Sequence, residues 1–282
     1  MIAIETRALT RRFGGRRGTI TAVDQIDLQV PAGSIFGLIG PNGAGKTTTL
    51  RMLAGLLEPT SGQILIDGQA VNHDWRDLQR RIGYMPDFFG VYEDMLVWEY
   101  LDFFGRCHDL PSGRRQQVTD ELLELVDLAE KRNAYVQTLS RGMRQRLCLA
   151  HALVHDPQVL LLDEPASGLD PRARVEMREL LRELGSMGKT VVVSSHILSE
   201  LAELCDSVGI IERGHLVASG SLDEISRQAR HGRTLRLQVL SEREAAITHL
   251  ADLAAKGHHV GPVHEVNGFL DVEFLGDLEA AA

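Results

Sequence analysis

The sequence predicts an α/β fold, and three observations lead to it. A glycine-rich loop at 40–48 follows an apolar run at 34–39 and precedes a segment of helical spacing at 47–57. A second apolar run at 159–162 ends in two carboxylates, and strand-like and helix-like segments alternate from there to about 220. Apolar runs of this length are typical of strands buried on both faces of a parallel sheet. The loop and the two carboxylates should therefore share the carboxyl edge of one sheet.

The glycine-rich loop has the composition of a phosphate-binding loop. Glycine lets the backbone wrap tightly, so that successive N–H groups point at phosphate oxygens, and the following helix adds the positive end of its dipole. Lys46 can reach the β- and γ-phosphates, and the Thr47 hydroxyl can ligate Mg²⁺. The loop therefore predicts a site for ATP and Mg²⁺. Its residues are Gly40, Pro41, Asn42, Gly43, Ala44, Gly45, Lys46, Thr47 and Thr48.

The two carboxylates after the second apolar run are Asp163 and Glu164. Asp163 is placed to hold Mg²⁺, directly or through water, and Glu164 is placed to polarise the water that attacks the γ-phosphate. Acidic residues in an ordinary loop after a strand are the alternative. The phosphate-binding loop in the same predicted sheet favours the catalytic interpretation.

A third motif lies between these two, where residues 139–146 read Leu-Ser-Arg-Gly-Met-Arg-Gln-Arg. It resembles the signature motif of ATP-binding cassette (ABC) ATPases, which usually reads Leu-Ser-Gly-Gly-Gln. Arg141 and Met143 depart from that pattern. With the three motifs in this order, residues 1–220 resemble the nucleotide-binding subunit of an ABC transporter, and the text from Met85 to Tyr92 is similar to the type-2 exporter branch. The resemblance implies a P-loop NTPase core, with a mixed sheet, an antiparallel β-portion and a helical subdomain at about 88–155.

The resemblance also implies that the signature motif serves a second subunit. In the family, Ser140 and Gly142 face the γ-phosphate bound by the opposite subunit. Ser140 precedes a helical pattern and is a natural N-cap. Arg141, Arg144 and Arg146 crowd the first turns against the helix dipole, which a nearby anion would offset. For Arg144 and Arg146 we favour a solvated surface.

Two further motifs follow in the chain. Residues 167–170, Ser-Gly-Leu-Asp, resemble the D-loop that crosses the dimer interface in the family. Asp170 stands before Pro171, so we also expect it to be an N-cap with proline at the first helical position. His196 follows an apolar run and resembles the switch histidine that contacts the γ-phosphate.

Two positions are assigned from the resemblance with an alternative beside them. Phe13 resembles the aromatic side chain that stacks on adenine, and a packing role in the core or a turn is the competing interpretation. Asp87 stands where the family usually has glutamine. A carboxylate can still ligate Mg²⁺, so we carry Asp87 over as a contact to Mg²⁺ or to the coupling region.

The remainder of the chain predicts a second, smaller domain. Residues 221–233 form a linker, and 234–282 show a β-α-β-β outline that resembles the small α+β accessory domain of exporter-type ATPases. This domain could be incomplete, because the chain stops where a second helix would begin. Between the motifs, the aromatic segment 88–100 is expected to divide between the core of the helical subdomain and a surface for a membrane partner.

Composition limits the setting and the partners. The formal net charge of −9 leaves no basic footprint for nucleic acid, and no run of 18 apolar residues could span a bilayer. The first residues do not resemble a secretory signal, and the three cysteines show no CxxC spacing. These features suit a reducing cytoplasm, and the resemblance implies a peripheral protein on the cytoplasmic face of the membrane. The resemblance implies a membrane-spanning permease subunit and a second ATPase subunit, in a homodimer, as partners.

Together these features predict an ATPase subunit in which dimer closure around ATP drives export by a separate membrane subunit. Three alternatives stay open: a soluble ABC ATPase acting on ribosomes or DNA, a phosphoryl transferase with the same loop, and a catalytically weak regulatory subunit. Asp87, Arg141 and Met143 make the last conceivable. The sequence does not identify the cargo.

Overall fold

The computed structural model describes residues 1–15, 18–71, 75–87, 94–225, 233–239, 243–256, 258, 260–266 and 269–274. The chain divides into two compact units, Met1–Ser219 and Gly220–Ala282. Two sheets belong to the first unit, apart from the last residue of one edge strand, and a third sheet belongs to the second.

An antiparallel sheet forms one part of the first unit. Its long first strand pairs with three others, and the register shifts in these pairings accompany a burial pattern in which Ala3 and Ile4, and again Leu9 and Thr10, are buried side by side. Thr6 and Thr10, which are buried in this strand, donate side-chain hydrogen bonds to the carbonyl oxygens of Ile26 and Ala8. The strands are β1 (Ile2–Gly15), β2 (Gly18–Ile26), β3 (Gln29–Pro31), β5 (Ser61–Ile66) and β6 (Gln69–Ala70).

The second sheet has six strands, in the order β11-β10-β4-β9-β8-β7. They are β4 (Ile35–Ile39), β7 (Ile82–Met85), β8 (Val159–Leu162), β9 (Thr190–Ser195), β10 (Ser207–Glu212) and β11 (His215–Gly220). The five strands from β10 to β7 run parallel. Every residue of β4, β8 and β9 is buried, as their apolar runs predict. The carboxyl ends of β4, β7, β8 and β9 therefore meet at one edge.

The helices of the first unit are α1 (Lys46–Leu53), α2 (Trp75–Arg81), α3 (Val97–Cys107), α4 (Ser112–Leu125), α5 (Arg141–Leu153), α6 (Pro171–Ser186) and α7 (Leu198–Ala202). Short 3₁₀ helices lie at Ala129–Lys131 and Val136–Thr138. Helix α1 is shorter than the segment predicted to 57. The chain leaves the helix at Gly55, whose φ of +69° is a left-handed conformation that glycine adopts without strain.

Helices α3, α4 and α5 pack together in the region predicted to be helical. Val97, Tyr100 and Leu101 of α3 are buried, while Trp98 is only partly buried. Residues 88–93, which include the first half of the aromatic segment, lie outside the described residues. The solvated interpretation is wrong for Arg146, which is buried and donates from Nη1 to Asp127 Oδ2 at 2.9 Å. Arg144 is partly buried.

The second unit contains β12 (Arg233–Leu237), α8 (Arg243–Ala255), β13 (Val260–Val266) and β14 (Phe269–Phe274). The strands form an antiparallel sheet in the order β12-β14-β13, with Leu270 and Val272 of the central strand buried. Arg236 and Asp271 face each other across this sheet and form two hydrogen bonds of 2.7 Å. No helix in the described part of the chain is both long and apolar enough to cross a membrane.

Candidate nucleotide site

The glycine-rich loop leaves the carboxyl end of β4 and packs closely against neighbouring backbone. A Cβ atom at Gly40 would lie 2.2 Å from the carbonyl oxygen of Ile211. At Gly45 the φ is +112°, and a Cβ atom would lie 2.6 Å from the carbonyl oxygen of Ala22. These two positions therefore require glycine, and the resulting turn directs the loop into the amino end of α1.

The loop forms one wall of an open cleft at the carboxyl edge of the parallel sheet. The lining residues come from the loop, from β2 and from the segments that follow β7, β8 and β9; they are Ala22, Asn42, Gly43, Ala44, Gly45, Lys46, Thr47, Thr48, Asp87, Glu164, Ser167 and His196. Most of these were predicted from motifs. Ala22 was not predicted, since nothing in the sequence indicates that β2 approaches Gly45. Ser167 was not assigned to the site either, although the D-loop motif that contains it indicated a functional segment.

Lys46 is 5% exposed and is held in place by oxygen atoms. Its Nζ donates to the carbonyl oxygen of Gly40 at 2.7 Å and lies 3.2 Å from Glu164 Oε1. The ammonium group therefore sits between the loop and the catalytic carboxylate candidate. A phosphate group bound in the loop would form an ion pair with Lys46 and weaken the interaction of Lys46 with Glu164. Glu164 would then be free to contact water.

Ser194, at the end of β9, joins the two acidic residues that follow β8. Its Oγ donates to Asp163 Oδ1 at 2.8 Å and accepts from the Glu164 backbone N–H at 2.9 Å. Glu164 has a φ of +50°, a conformation that is uncommon outside glycine, and this hydrogen bond helps to hold it there. Sequence reasoning assigned Ser194 no role, because its hydrogen bonds join the ends of two different strands.

His196 lies beside Glu164 at the mouth of the cleft. Its Nδ1 is 2.9 Å from Glu164 Oε2, so the two oxygens of this carboxylate contact His196 and Lys46 respectively. The imidazole is 42% exposed, whereas the Glu164 side chain is 13% exposed. The predicted catalytic residues Lys46, Glu164 and His196 thus form one connected group.

Asp87 lies on the exposed rim of the cleft after β7. Burial, together with the charges of Asp163 and Glu164, raises the pKa of Asp87, while Arg141 and His196 act in the opposite direction. The three carboxylates are therefore close enough to repel one another, and a cation among them would relieve this repulsion. Thr47 and Asp87 line the cleft and offer the oxygen donors that Mg²⁺ prefers, whereas Asp163 is 1% exposed and does not line the cleft. Among the described residues, no group of three or more His, Cys, Asp or Glu side chains could hold a metal alone. Nucleotide phosphates would have to complete such a site.

The signature motif lies at the start of α5. Ser140 is the N-cap of α5, where its Oγ accepts from the Met143 N–H at 3.3 Å, and Asp170 is the N-cap of α6, where it accepts from the Ala173 N–H at 3.0 Å. Gly142 faces α6, because a Cβ atom there would lie 3.2 Å from Ala173 Cβ. Neither Ser140 nor Gly142 lines the cleft. One chain therefore does not bring its own signature motif to its own phosphate-binding loop.

Phe13 lies on β1 opposite Ile20 of β2 and is 39% exposed. The guanidinium of Arg11 lies 4.7 Å from the centre of its ring. The ring does not belong to the hydrophobic core and does not line the cleft. An exposed aromatic surface of this kind suits stacking on a flat base.

Comparison with known proteins identifies the family. The family model for the ABC transporter matches residues 23–167, which contain the phosphate-binding loop, the signature motif and the two acidic residues. The chain belongs to the ABC transporter family. It is an ATP-binding domain of that family and hence an ATPase, and the predicted fold class, family and activity are confirmed.

Two relatives illustrate the similarity. The chain is 43% identical over 218 residues to the Nod factor export ATP-binding protein I of Burkholderia lata. The aligned region covers 77% of this chain and 70% of that protein. It is 41% identical over 208 residues to an uncharacterised ABC transporter ATP-binding protein of Nostoc sp., and the aligned region covers 73% of this chain. The match spans 62% of the Nostoc protein's own length.

Solved structures support the same assignment. One described as an ATP-binding subunit of an ABC transporter superposes with a TM-score of 0.70 at 30% identity, covering 80% of this chain and 93% of the other. A dimeric bacterial ABC transporter cassette superposes with a TM-score of 0.71 at 25% identity, covering 78% of this chain and 98% of the other.

Proposed function

We propose that this ATPase hydrolyses ATP with Mg²⁺ in a dimer and that closure of the dimer drives export by a separate membrane subunit. The observation that carries the proposal is the single connected group of Lys46, Glu164 and His196 beside the phosphate-binding loop. It combines a buried cation, a fixed carboxylate and an imidazole at the edge of a cleft. This is the set of groups needed to position water for in-line attack on a phosphoryl group.

Each of these residues has a distinct part in the proposed reaction. Residues 40–48 bind the phosphates through backbone N–H groups, and Lys46 balances their negative charge. Glu164 accepts a proton from the attacking water, and His196 holds the carboxylate in place from its other side. Phe13 stacks on the base. Thr47, Asp163 and Asp87 would hold Mg²⁺ together with the nucleotide. Mg²⁺, when bound, would supply positive charge that offsets the phosphate oxygens.

The position of the signature motif supports the proposed dimer. Ser140 and Gly142 do not line the cleft of their own chain, so we expect them to contact a γ-phosphate bound by a second subunit. The N-terminus of α5, with Ser140 as its cap, attracts an anion through the helix dipole. Asp170 lies at the start of α6, next to this surface. A homodimer gives two equivalent composite sites because one chain carries a full set of motifs.

Export through a separate membrane subunit rests on different evidence. The described residues contain no membrane-spanning helix, and a similar protein is named for the export of Nod factor. The helical region of α3 to α5 would contact the permease on the cytoplasmic face. A polytopic protein should therefore be recovered when the tagged chain is purified from detergent-solubilised membranes and its partners are identified by mass spectrometry. Recovery of soluble partners alone, where a known transporter ATPase keeps its membrane subunit, would contradict the transport proposal.

Substitution of the proposed base tests the chemistry. We expect Glu164→Gln to bind ATP and to lower the rate of phosphate release by about a hundredfold or more, because an amide cannot accept the proton. The dimer that forms with ATP should then persist, and gel filtration with and without ATP measures it.

Glu130→Gln is the matched control, because Glu130 is an exposed carboxylate in the 3₁₀ helix at Ala129–Lys131. It should hydrolyse ATP at the wild-type rate and should not accumulate a dimer. Wild-type hydrolysis by Glu164→Gln would exclude Glu164 as the base. A Glu164→Gln protein that binds ATP but elutes only as a monomer would contradict closure around two nucleotides.

A further inference from the structure

Arg141 stands where the family motif usually has glycine, and its side chain contacts the D-loop of the same chain. Its Nη2 donates to the carbonyl oxygen of Ser167 at 3.0 Å. Within the described part of the chain, Arg141 forms no ion pair with a carboxylate, so this carbonyl is the partner that fixes the direction of its guanidinium. Ser167 itself lines the phosphate cleft. The first residue of the signature helix is thereby bonded to a wall of the nucleotide site.

Gly168 provides the space that the guanidinium occupies. A Cβ atom at Gly168 would lie 2.4 Å from Cζ of Arg141 and 2.5 Å from its Nη2. Gly168 also has a φ of +65°, which favours glycine. The exposed guanidinium of Arg141 thus occupies the space that a side chain at 168 would fill, and the absence of a side chain at Gly168 leaves room for the contact. A glycine at 141 could not make this contact from α5.

This contact joins the D-loop to the signature motif, and in the proposed dimer these two segments adjoin different nucleotides. In the proposed dimer, Ser167 adjoins the nucleotide of its own chain, whereas Ser140 and Gly142 adjoin the nucleotide of the other chain. Arg141 lies between Ser140 and Gly142 in sequence, and its side chain is hydrogen-bonded to Ser167. A shift of the Glu164–Ser167 segment on nucleotide binding would therefore act directly on the start of α5.

We propose that Arg141 is a positioning residue that couples the two ATP sites of the dimer, by holding the signature motif to Ser167 and Gly168. The inference rests on the proposed function, since it requires two composite sites. The contact transmits the state of one nucleotide to the motif that closes over the other. Arg141 does not line the cleft of its own chain, although its charge acts on Asp87 at the rim, so we expect at most a small change in the nucleotide affinity of the separate chain when Arg141 is replaced.

Replacement of Arg141 by the family's usual residue tests this role. Arg141→Gly should lower kcat by about tenfold, the scale of one charge-assisted hydrogen bond, and should bring the Hill coefficient for ATP towards about 1. The affinity for ADP, measured by titration of the monomer, should stay within about twofold of wild type. Arg141→Lys retains a donor and should recover part of the cooperativity.

Arg172→Ala is the matched control. Arg172 is an exposed arginine in the first turn of α6, next to the D-loop, and its side chain bonds Glu176 of the same helix. Its loss removes the same charge from the same neighbourhood without touching Ser167. It should keep the wild-type rate and Hill coefficient.

A double-mutant cycle with Gly168→Ala separates coupling from simple damage. Alone, Gly168→Ala places a methyl group where the guanidinium lies and strains a positive φ. With Arg141→Gly the collision disappears and only the strain remains, so the combined loss of kcat should be smaller than the product of the two single losses. A combined loss equal to that product would overturn the inference.

A wild-type Hill coefficient and kcat in Arg141→Gly would also overturn it. If the wild-type chain hydrolyses ATP without any cooperativity, the coupling proposal fails while the ATPase proposal stands. If the wild-type chain hydrolyses no ATP, the proposed function itself is contradicted, and the inference falls with it.

Discussion

The phosphate cleft and the helical region place ionisable side chains in opposite environments. At the cleft, Lys46 and Glu164 are enclosed as partners, and Asp163 is 1% exposed with a hydrogen bond from Ser194. In the helical region, His151 and His155 are enclosed among rings and other histidines. His151 stacks on Phe104 with ring centres 3.6 Å apart, and His155 stacks on His108 at 4.0 Å.

The difference shows what each region is built to do. Enclosing a charge costs several kcal/mol unless partners and hydrogen bonds offset it, so a protein retains such groups where a ligand uses their charge. The cleft encloses such charged groups, Lys46 and Glu164. In the helical region, desolvation first, and then the charges of neighbouring histidines, lower the pKa of His151 and of His155 to about 4. These imidazoles are neutral at physiological pH and act as flat packing groups.

Among the changes that test this difference between the two regions, the largest effect is expected at the cleft, from Ser194→Ala. The change removes the donor to Asp163 and the acceptor for the Glu164 N–H, both in a fully buried position. Each group left without its partner costs about 1 to 3 kcal/mol. We expect a loss of stability of this order and at least a tenfold lower rate of ATP hydrolysis, measured by denaturant unfolding and phosphate release.

Ser195→Ala separates these two losses. Ser195 is also buried in β9, but its Oγ donates to Glu200 and accepts from the Ile197 N–H, and it bonds neither Asp163 nor Glu164. It should cost similar stability and leave hydrolysis much closer to wild type. Equal losses of activity in both variants would mean that β9 contributes only rigidity to the site. The hydrogen bonds of Ser194 to the acidic residues would then not distinguish the cleft from the helical region.

How well each region could be predicted follows from the range of its interactions. The loop at 40–48 and the N-caps Ser140 and Asp170 were predicted because each depends on a few neighbouring residues. Family, fold class and activity followed from the order of such motifs. The roles assigned to individual site residues stay predictions.

Other features depend on contacts between distant parts of the chain and could not be predicted. Arg146 was expected to be solvated, but Asp127 of another element lies beside it and makes a buried position possible. Ala22 approaches the loop only because β2 crosses in front of Gly45. The histidine stacks require α3 and α5 to bring residues 104 and 108 against 151 and 155. Periodicity shows which face of a helix is buried, but not which partner covers it.

A smaller effect is expected in the helical region, and it depends on pH. In the unfolded chain His151 titrates near its ordinary value of about 6.5, whereas its pKa is about 4 in the folded protein. Between these values the unfolded chain binds more protons, so stability falls as pH decreases from about 6.5 towards 4 and is retained above that range. For His151 alone the loss at pH 5 is about 2 kcal/mol.

His151→Phe should remove this part of the pH dependence, because a phenyl ring can still stack on Phe104 and cannot take up a proton. Calorimetric unfolding of the whole chain at pH 7 and pH 5 measures it, and the difference in Tm between the two conditions should shrink by several degrees relative to wild type. His215→Phe is the control, since the His215 side chain is 63% exposed on β11, and it should keep the wild-type difference. An unchanged difference in His151→Phe would mean that the histidine stacks admit a proton without loss of packing. The helical region would then resemble the cleft in tolerating charge, and the two environments would differ in their ligands rather than in their electrostatics.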